Sequence, residues 1–71
     1  MNEELIEAKC QAFIKTIKSL REKKGLSTTD VANLTGLKQP NVSRIEGGAY
    51  MPNLPTLMKL AEALGVDLKF E

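Results

Sequence analysis

The stretch Ser27-Thr28-Thr29-Asp30-Val31-Ala32-Asn33-Leu34-Thr35-Gly36-Leu37-Lys38-Gln39-Pro40-Asn41-Val42-Ser43-Arg44-Ile45-Glu46-Gly47-Gly48 decides how this chain is read. It opens with a serine followed three residues later by an aspartate, a pair that satisfies orphan amides where a helix begins. Val31 and Leu34 then give a short helix its apolar side, with Ala32 lacking bulk where a second helix must cross closely. Gly36 supplies the left-handed backbone of a tight turn after Thr35, and Leu37 fills that turn from inside. Pro40 suits the first turn of a second short helix, where no amide bond is lost, and this helix runs to Glu46 with Val42 and Ile45 on its inner side. Gly47-Gly48 ends it, as a helix cap rather than an anion nest.

Working outward, residues 3–24 hold no proline or glycine, and Ile6, Cys10, Phe13, Ile17 and Leu20 recur at alternating spacings of four and three. That is one face of a helix, stopped by Gly25, with its basic residues gathered late where they favour a helix C-terminus. On the other side, Ala49 to Pro52 reads as a loop and Asn53 as the cap of a fourth helix. Pro55 falls in its first turn, Leu57, Leu60, Ala61 and Leu64 point inward, and Gly65 stops it. Beyond it Val66, Leu68 and Phe70 alternate with Asp67, Lys69 and Glu71, a period of two that predicts a short C-terminal strand.

The 71 residues amount to one small domain, 42% hydrophobic and 27% charged, and a chain of this size buries only about 60% of the surface its unfolded form exposes. A lone Cys10 makes no intrachain disulfide and is expected to fill core space. With no histidine, the chain lacks the commonest general base and any Cys/His set for zinc. No phosphate loop is present either, so an enzyme is not expected, nor a metal or other cofactor. No apolar run approaches the roughly 20 residues of a membrane span, and the acidic start Met1-Asn2-Glu3-Glu4 has the wrong charge for a secretory signal, which makes a cytoplasmic protein the expectation. The net charge of +1 conceals segregation: residues 1–8 carry −3, residues 9–44 carry +6 and residues 45–71 carry −2.

Two short helices joined by a glycine-containing turn inside an all-helical domain are the layout of a helix-turn-helix, here between Thr28 and Glu46. The sequence closely resembles the lambda-repressor and Cro-like helix-turn-helix family. The matching text is Leu20-Arg21-Glu22-Lys23-Lys24-Gly25-Leu26-Ser27, Val31-Ala32 through Gly36-Leu37, Asn41-Val42-Ser43-Arg44-Ile45-Glu46-Gly47-Gly48, Pro52-Asn53-Leu54 and Leu57-Met58-Lys59-Leu60-Ala61-Glu62-Ala63-Leu64-Gly65-Val66. The order and gaps of these segments are more specific than any one of them. The fold class implied is all-α, a compact domain of four to five helices spanning residues 1–71, with the short terminal strand as an addition.

The resemblance also implies that the helix beginning near Gln39 lies in the major groove of double-stranded DNA. Turning that helix at about 100° per residue with Val42 and Ile45 inward sends Pro40, Ser43 and Arg44 outward, with Gln39 and Asn41 flanking them. Gln39, Pro40, Asn41, Ser43 and Arg44 are thus the candidate base contacts, since Gln or Asn can bind adenine bidentately, Arg guanine, and proline a thymine methyl. Thr28, Thr29 and Lys38 are the candidate phosphate contacts, although the threonines could simply serve the helix end and Lys38 solubility. In relatives, the positions of Arg21 and Glu46 form a partly buried ion pair tying the first helix to the end of the recognition helix; free surface charges are the plainer reading.

Three departures from the family pattern stand out. Thr28 replaces the usual glutamine and is too short both to reach a phosphate and to brace the first recognition residue. Lys38 replaces a capping serine or threonine, and Pro40 disfavours a helical Gln39, which makes Gln39 the candidate cap. The tail reads as a strand where many relatives have a fifth helix. A lone strand exposes an unpaired edge, so pairing of Val66, Leu68 and Phe70 with a second copy would give the homodimer that palindromic operators require; Phe70 closing the core of one monomer is nearly as good a reading. The expected function is a repressor acting as a homodimer on a partly palindromic operator. An antitoxin that autoregulates its operon and binds a toxin protein is the alternative, and a protein-interaction module without DNA affinity is third.

Overall fold

A computed structural model describes residues 2–66, which form α1 (Glu3–Lys23), α2 (Thr28–Thr35), α3 (Gln39–Glu46) and α4 (Leu54–Ala63). The domain is all-α, and among the described residues there is no strand. The tail at 67–71, with Leu68 and Phe70 of the expected strand, lies outside the described residues.

Local chemistry explains where each helix begins. The Asn2 side chain accepts from the amides of Glu4 at 2.9 Å and Leu5 at 3.3 Å, and the acids Glu3 and Glu4 sit in the first turn of α1, where the helix dipole favours them. At α2 the Ser27 hydroxyl accepts from the Asp30 amide at 3.0 Å while the Asp30 carboxylate accepts from the Ser27 amide at 2.8 Å, a complete capping box. These bonds hold the Asp30 carboxyl below its ordinary range, the Ser27 backbone amide contributing most. Asn53 caps α4 by accepting from the Thr56 amide at 3.0 Å. Lys38, not Gln39, occupies the cap position of α3 and makes no side-chain cap bond. Gln39 is already helical, so the restriction that Pro40 places on its predecessor is absorbed at the first helical residue.

The turn between α2 and α3 is fixed from both sides. Gly36 adopts φ +78, open to glycine at little cost, and its amide donates to the Ala32 carbonyl at 2.9 Å. The Thr35 hydroxyl donates back to the Val31 carbonyl at 2.8 Å and accepts from the Leu37 amide at 3.2 Å. At the far end of α3, Gly48 has φ +76, a left-handed backbone that glycine adopts at little cost.

Ile14, Ile17, Val31, Ala32, Val42, Ile45, Leu60 and Leu64 form the core, with Phe13, Leu20, Leu26, Leu37, Leu57 and Val66 packed partly against it. The inward face of α1 therefore differs from the expected stripe: Ile14 is 1% exposed, whereas Ile6 is 40% exposed and Cys10 is half-buried rather than a core residue. The N-terminal half of α1 runs past the core, and Ile6, Cys10, Phe13, Met51, Leu54 and Leu57 line an open apolar groove of about 320 Å³. Leu34 is likewise corrected. It is 61% exposed, because α3 and α4 cover α2 over Val31 and Ala32 instead.

Two stability measurements follow from this packing. Ile14→Ala is expected to cost roughly 2–5 kcal/mol in urea unfolding and Leu34→Ala less than about 0.5 kcal/mol; equal effects would contradict the assignment of the α1 and α2 inner faces. Because the folded-state pKa of Asp30 lies below its unfolded value, its contribution is present above the ordinary carboxyl range and is lost as pH falls through the folded value. Asp30→Asn should thus be less stable than the parent at neutral pH, with the two thermal midpoints converging in acid; a pH-independent gap would exclude the capping box as its source.

Candidate nucleic-acid interface

α3 is pinned by its inner face and open on its outer one. Val42 and Ile45 are 0% and 1% exposed, while Pro40, Ser43 and Arg44 are exposed on the opposite side and Gln39 and Asn41 are half-buried at the N-terminal end. Lys38 and Thr29 are exposed and Thr28 is half-buried. The exposed side of α3 and the start of α2 thereby adjoin, joined by a hydrogen bond between Gln39 Nε2 and Thr28 Oγ1 at 2.9 Å. Threonine at this position does brace the first residue of α3. A second bond runs along the helix, from Gln39 Nε2 to Ser43 Oγ at 2.7 Å. Gln39 and Ser43 stand four residues apart, a spacing that brings side chains together on a helix, but no residue pattern indicates that one amide nitrogen serves both hydroxyls.

The electrostatics favour an anion along this edge. The Asp30 carboxylate is turned back onto the Ser27 amide, and the first turn of α3 holds no acid while Arg44 lies in its last turn. Pro40 carries no amide hydrogen and the Asn41 amide donates to the Lys38 carbonyl at 2.9 Å, so side chains rather than backbone donors dominate the outer face of α3.

Arg21 and Glu46 meet behind this face. Arg21 Nε donates to Glu46 Oε2 at 2.7 Å and Nη2 to Glu46 Oε1 at 2.9 Å, a bidentate pair whose side chains are 13% and 7% exposed. The remaining Nη1 donates to the Leu26 carbonyl at 2.8 Å, a contact with no signature in the residue pattern. The hydrogen bonds to Glu46 raise the Arg21 pKa above its ordinary value against the opposing effect of burial. Through this one guanidinium the end of α1, the loop before α2 and the end of α3 share a fixed geometry.

Val66 is half-buried against the core of its own monomer, and its amide donates to the Ala61 carbonyl at 2.8 Å. Among the described residues there is no group of His, Cys, Asp and Glu able to hold a metal ion, and no helix is long and apolar enough to cross a membrane.

Comparison with known proteins places this geometry in a family. The helix-turn-helix family profile matches residues 17–70, and the chain belongs to the lambda-repressor and Cro-like helix-turn-helix family. It is 42% identical over 57 residues to a protein of Haemophilus influenzae named an uncharacterized HTH-type transcriptional regulator, covering 80% of this chain and 58% of that one. It is 36% identical over 52 residues to the ImmF control region 10 kDa protein of Bacillus phage phi105, covering 73% of this chain and 58% of the relative. With the HTH-type transcriptional repressor RghR of Bacillus subtilis the identity is 35% over 57 residues, covering 79% and 42%. The chain thus spans between 42% and 58% of the length of these relatives.

The ion pair generates a prediction. Removing one partner strands a desolvated charge at a cost of about 3–5 kcal/mol, so Arg21→Ala should lower the thermal midpoint by more than about 12 °C. Replacing both residues, Arg21→Met with Glu46→Leu, should recover most of the loss because no charge is left alone. A midpoint unmoved by Arg21→Ala would show that the pair carries no stability.

Proposed function

We propose that this chain is a DNA-binding transcriptional regulator that places α3 in the major groove. The observation that carries the reading is the division of α3 into a fully buried side, Val42 and Ile45, and an exposed side bearing Pro40, Ser43 and Arg44 with Gln39 braced beside them. Arg44 is suited to the O6 and N7 acceptors of guanine, Asn41 and Ser43 to adenine or to several edges, and Pro40 to a thymine methyl. Thr29 and Lys38 take the phosphates on either side, while Thr28 holds Gln39. The names of the relatives, which include a transcriptional repressor, favour repression.

The same reading extends to a homodimer on a partly palindromic operator. One helix of 8 residues offers few side chains to base edges, and a second copy with its own α3 about 34 Å away doubles the readout one helical turn along the duplex. Such a protein represses by occupying its site.

Selection of bound sequences from a random duplex pool tests this. The recovered sites should carry inverted half-sites, and Arg44→Ala should erase the preference at one base pair, weakening binding there by roughly 1–3 kcal/mol. Lys38→Ala should instead weaken binding to all sequences alike and reduce the salt slope by about 0.9 log units per log unit of salt. Retention of no sequence, or affinity indifferent to salt, would refute DNA binding.

A further inference from the structure

A glutamine at the head of a recognition helix can read adenine with both ends of its amide, donating to N7 from nitrogen and accepting from N6 at oxygen. Gln39 is arranged otherwise. Its nitrogen carries two hydrogens and donates to both Thr28 Oγ1 at 2.9 Å and Ser43 Oγ at 2.7 Å, two acceptors for two hydrogens. No N–H of this amide is left for a base. The carbonyl oxygen Oε1 receives no hydrogen bond from the described residues, and since no unpartnered side-chain oxygen or nitrogen among them is buried, Oε1 is open to solvent.

Resting on the DNA-reading role proposed above, we propose that Gln39 reads the major groove as an acceptor alone, selecting a base with an exocyclic amino group rather than adenine as such. In the major groove only adenine N6 and cytosine N4 offer donors, whereas guanine O6 and N7 and thymine O4 are acceptors that Oε1 would repel. On the strand that Gln39 faces, the position therefore admits adenine or cytosine and excludes guanine and thymine. Ser43 sets this rule although it sits one helical turn away. By holding the second hydrogen of Nε2 it withholds the bond to N7 that would separate adenine from cytosine. Ser43 is in this respect a positioning residue, and Thr28, in place of a longer side chain, is the other half of the clamp.

The experiment uses the site recovered by the selection above. The base pair whose preference disappears in Gln39→Ala is built with adenine, with cytosine, with 7-deazaadenine, which lacks N7, and with purine, which lacks the N6 amino group. Adenine, cytosine and 7-deazaadenine should bind within about 3-fold of one another, and purine about 3- to 10-fold more weakly, the size of one net hydrogen bond. Ser43→Ala, a change on the exposed side of α3, should release an N–H to N7, so that 7-deazaadenine now loses about 3- to 10-fold and adenine is preferred over cytosine. Weakening by 7-deazaadenine in the parent protein, a pair at which adenine is accepted alongside guanine or thymine but not cytosine on the same strand, or a Gln39→Ala variant that changes no position would each overturn the proposal while leaving DNA binding intact. A protein that retains no sequence in the selection overturns the underlying reading as well, and the two failures are told apart by that first step.

Discussion

The guanidinium of Arg21 is the constraint on which the rest of the domain turns. α3 has two residues, Val42 and Ile45, fully inside, which turn its other side outward but leave its last turn to be held by other means. Glu46 at its last position is gripped by both oxygens, and the same guanidinium reaches the Leu26 carbonyl just before the cap of α2. Arginine suits this task because its planar fork holds direction as well as charge, whereas an ammonium would supply charge without orientation. The pair is desolvated and so is weak evidence of net stability compared with an apolar equivalent. Its value lies in geometry: it holds the end of α3 against α1 and the loop before α2, and in the proposed function the side chains from Gln39 to Arg44 inherit that setting.

Much of this was legible before any coordinates. The Ser27 and Asp30 spacing, Gly36, Pro40 and Asn53 each report a local backbone requirement, and local requirements are written locally, so helix ends fell close to where residue types placed them. Burial was read less well, for a physical reason. Periodicity identifies a stripe on a helix, but the neighbouring elements decide how much of that stripe is covered and where its centre lies. Along α1 the cover begins only near Phe13 and centres on Ile14 and Ile17, which leaves Ile6 at the rim of a groove. On α2, a helix of 8 residues, Val31 and Ala32 suffice to fill the crossing, and Leu34 points away from it.

The candidate interface shows the same division. Which side chains stand outward on α3 followed from helix geometry once Val42 and Ile45 were placed inside. How those side chains spend their hydrogen bonds did not, because Thr28 and Gln39 are 11 residues apart and meet only after the turn has folded. The cap of α3 illustrates the limit from the other side: proline restricts the residue before it, yet Gln39 is helical and Lys38 takes the cap position without a side-chain bond. A statistical preference yielded to the geometry of the turn.

That turn has a further consequence for recognition. The Thr35 hydroxyl bonded to the Val31 carbonyl and to the Leu37 amide, together with Gly36 in its left-handed well, leaves the connection between α2 and α3 little freedom to rearrange. In the proposed function α2 and α3 therefore meet a duplex as one rigid body, with the angle between them settled during folding. The conformational entropy of ordering the reading head is lost once, when the chain folds, and is not subtracted again from each encounter with DNA. A head of this kind discriminates by fit: a sequence whose groove does not match its fixed shape must be deformed, and the energy of that deformation falls on the DNA rather than on the protein.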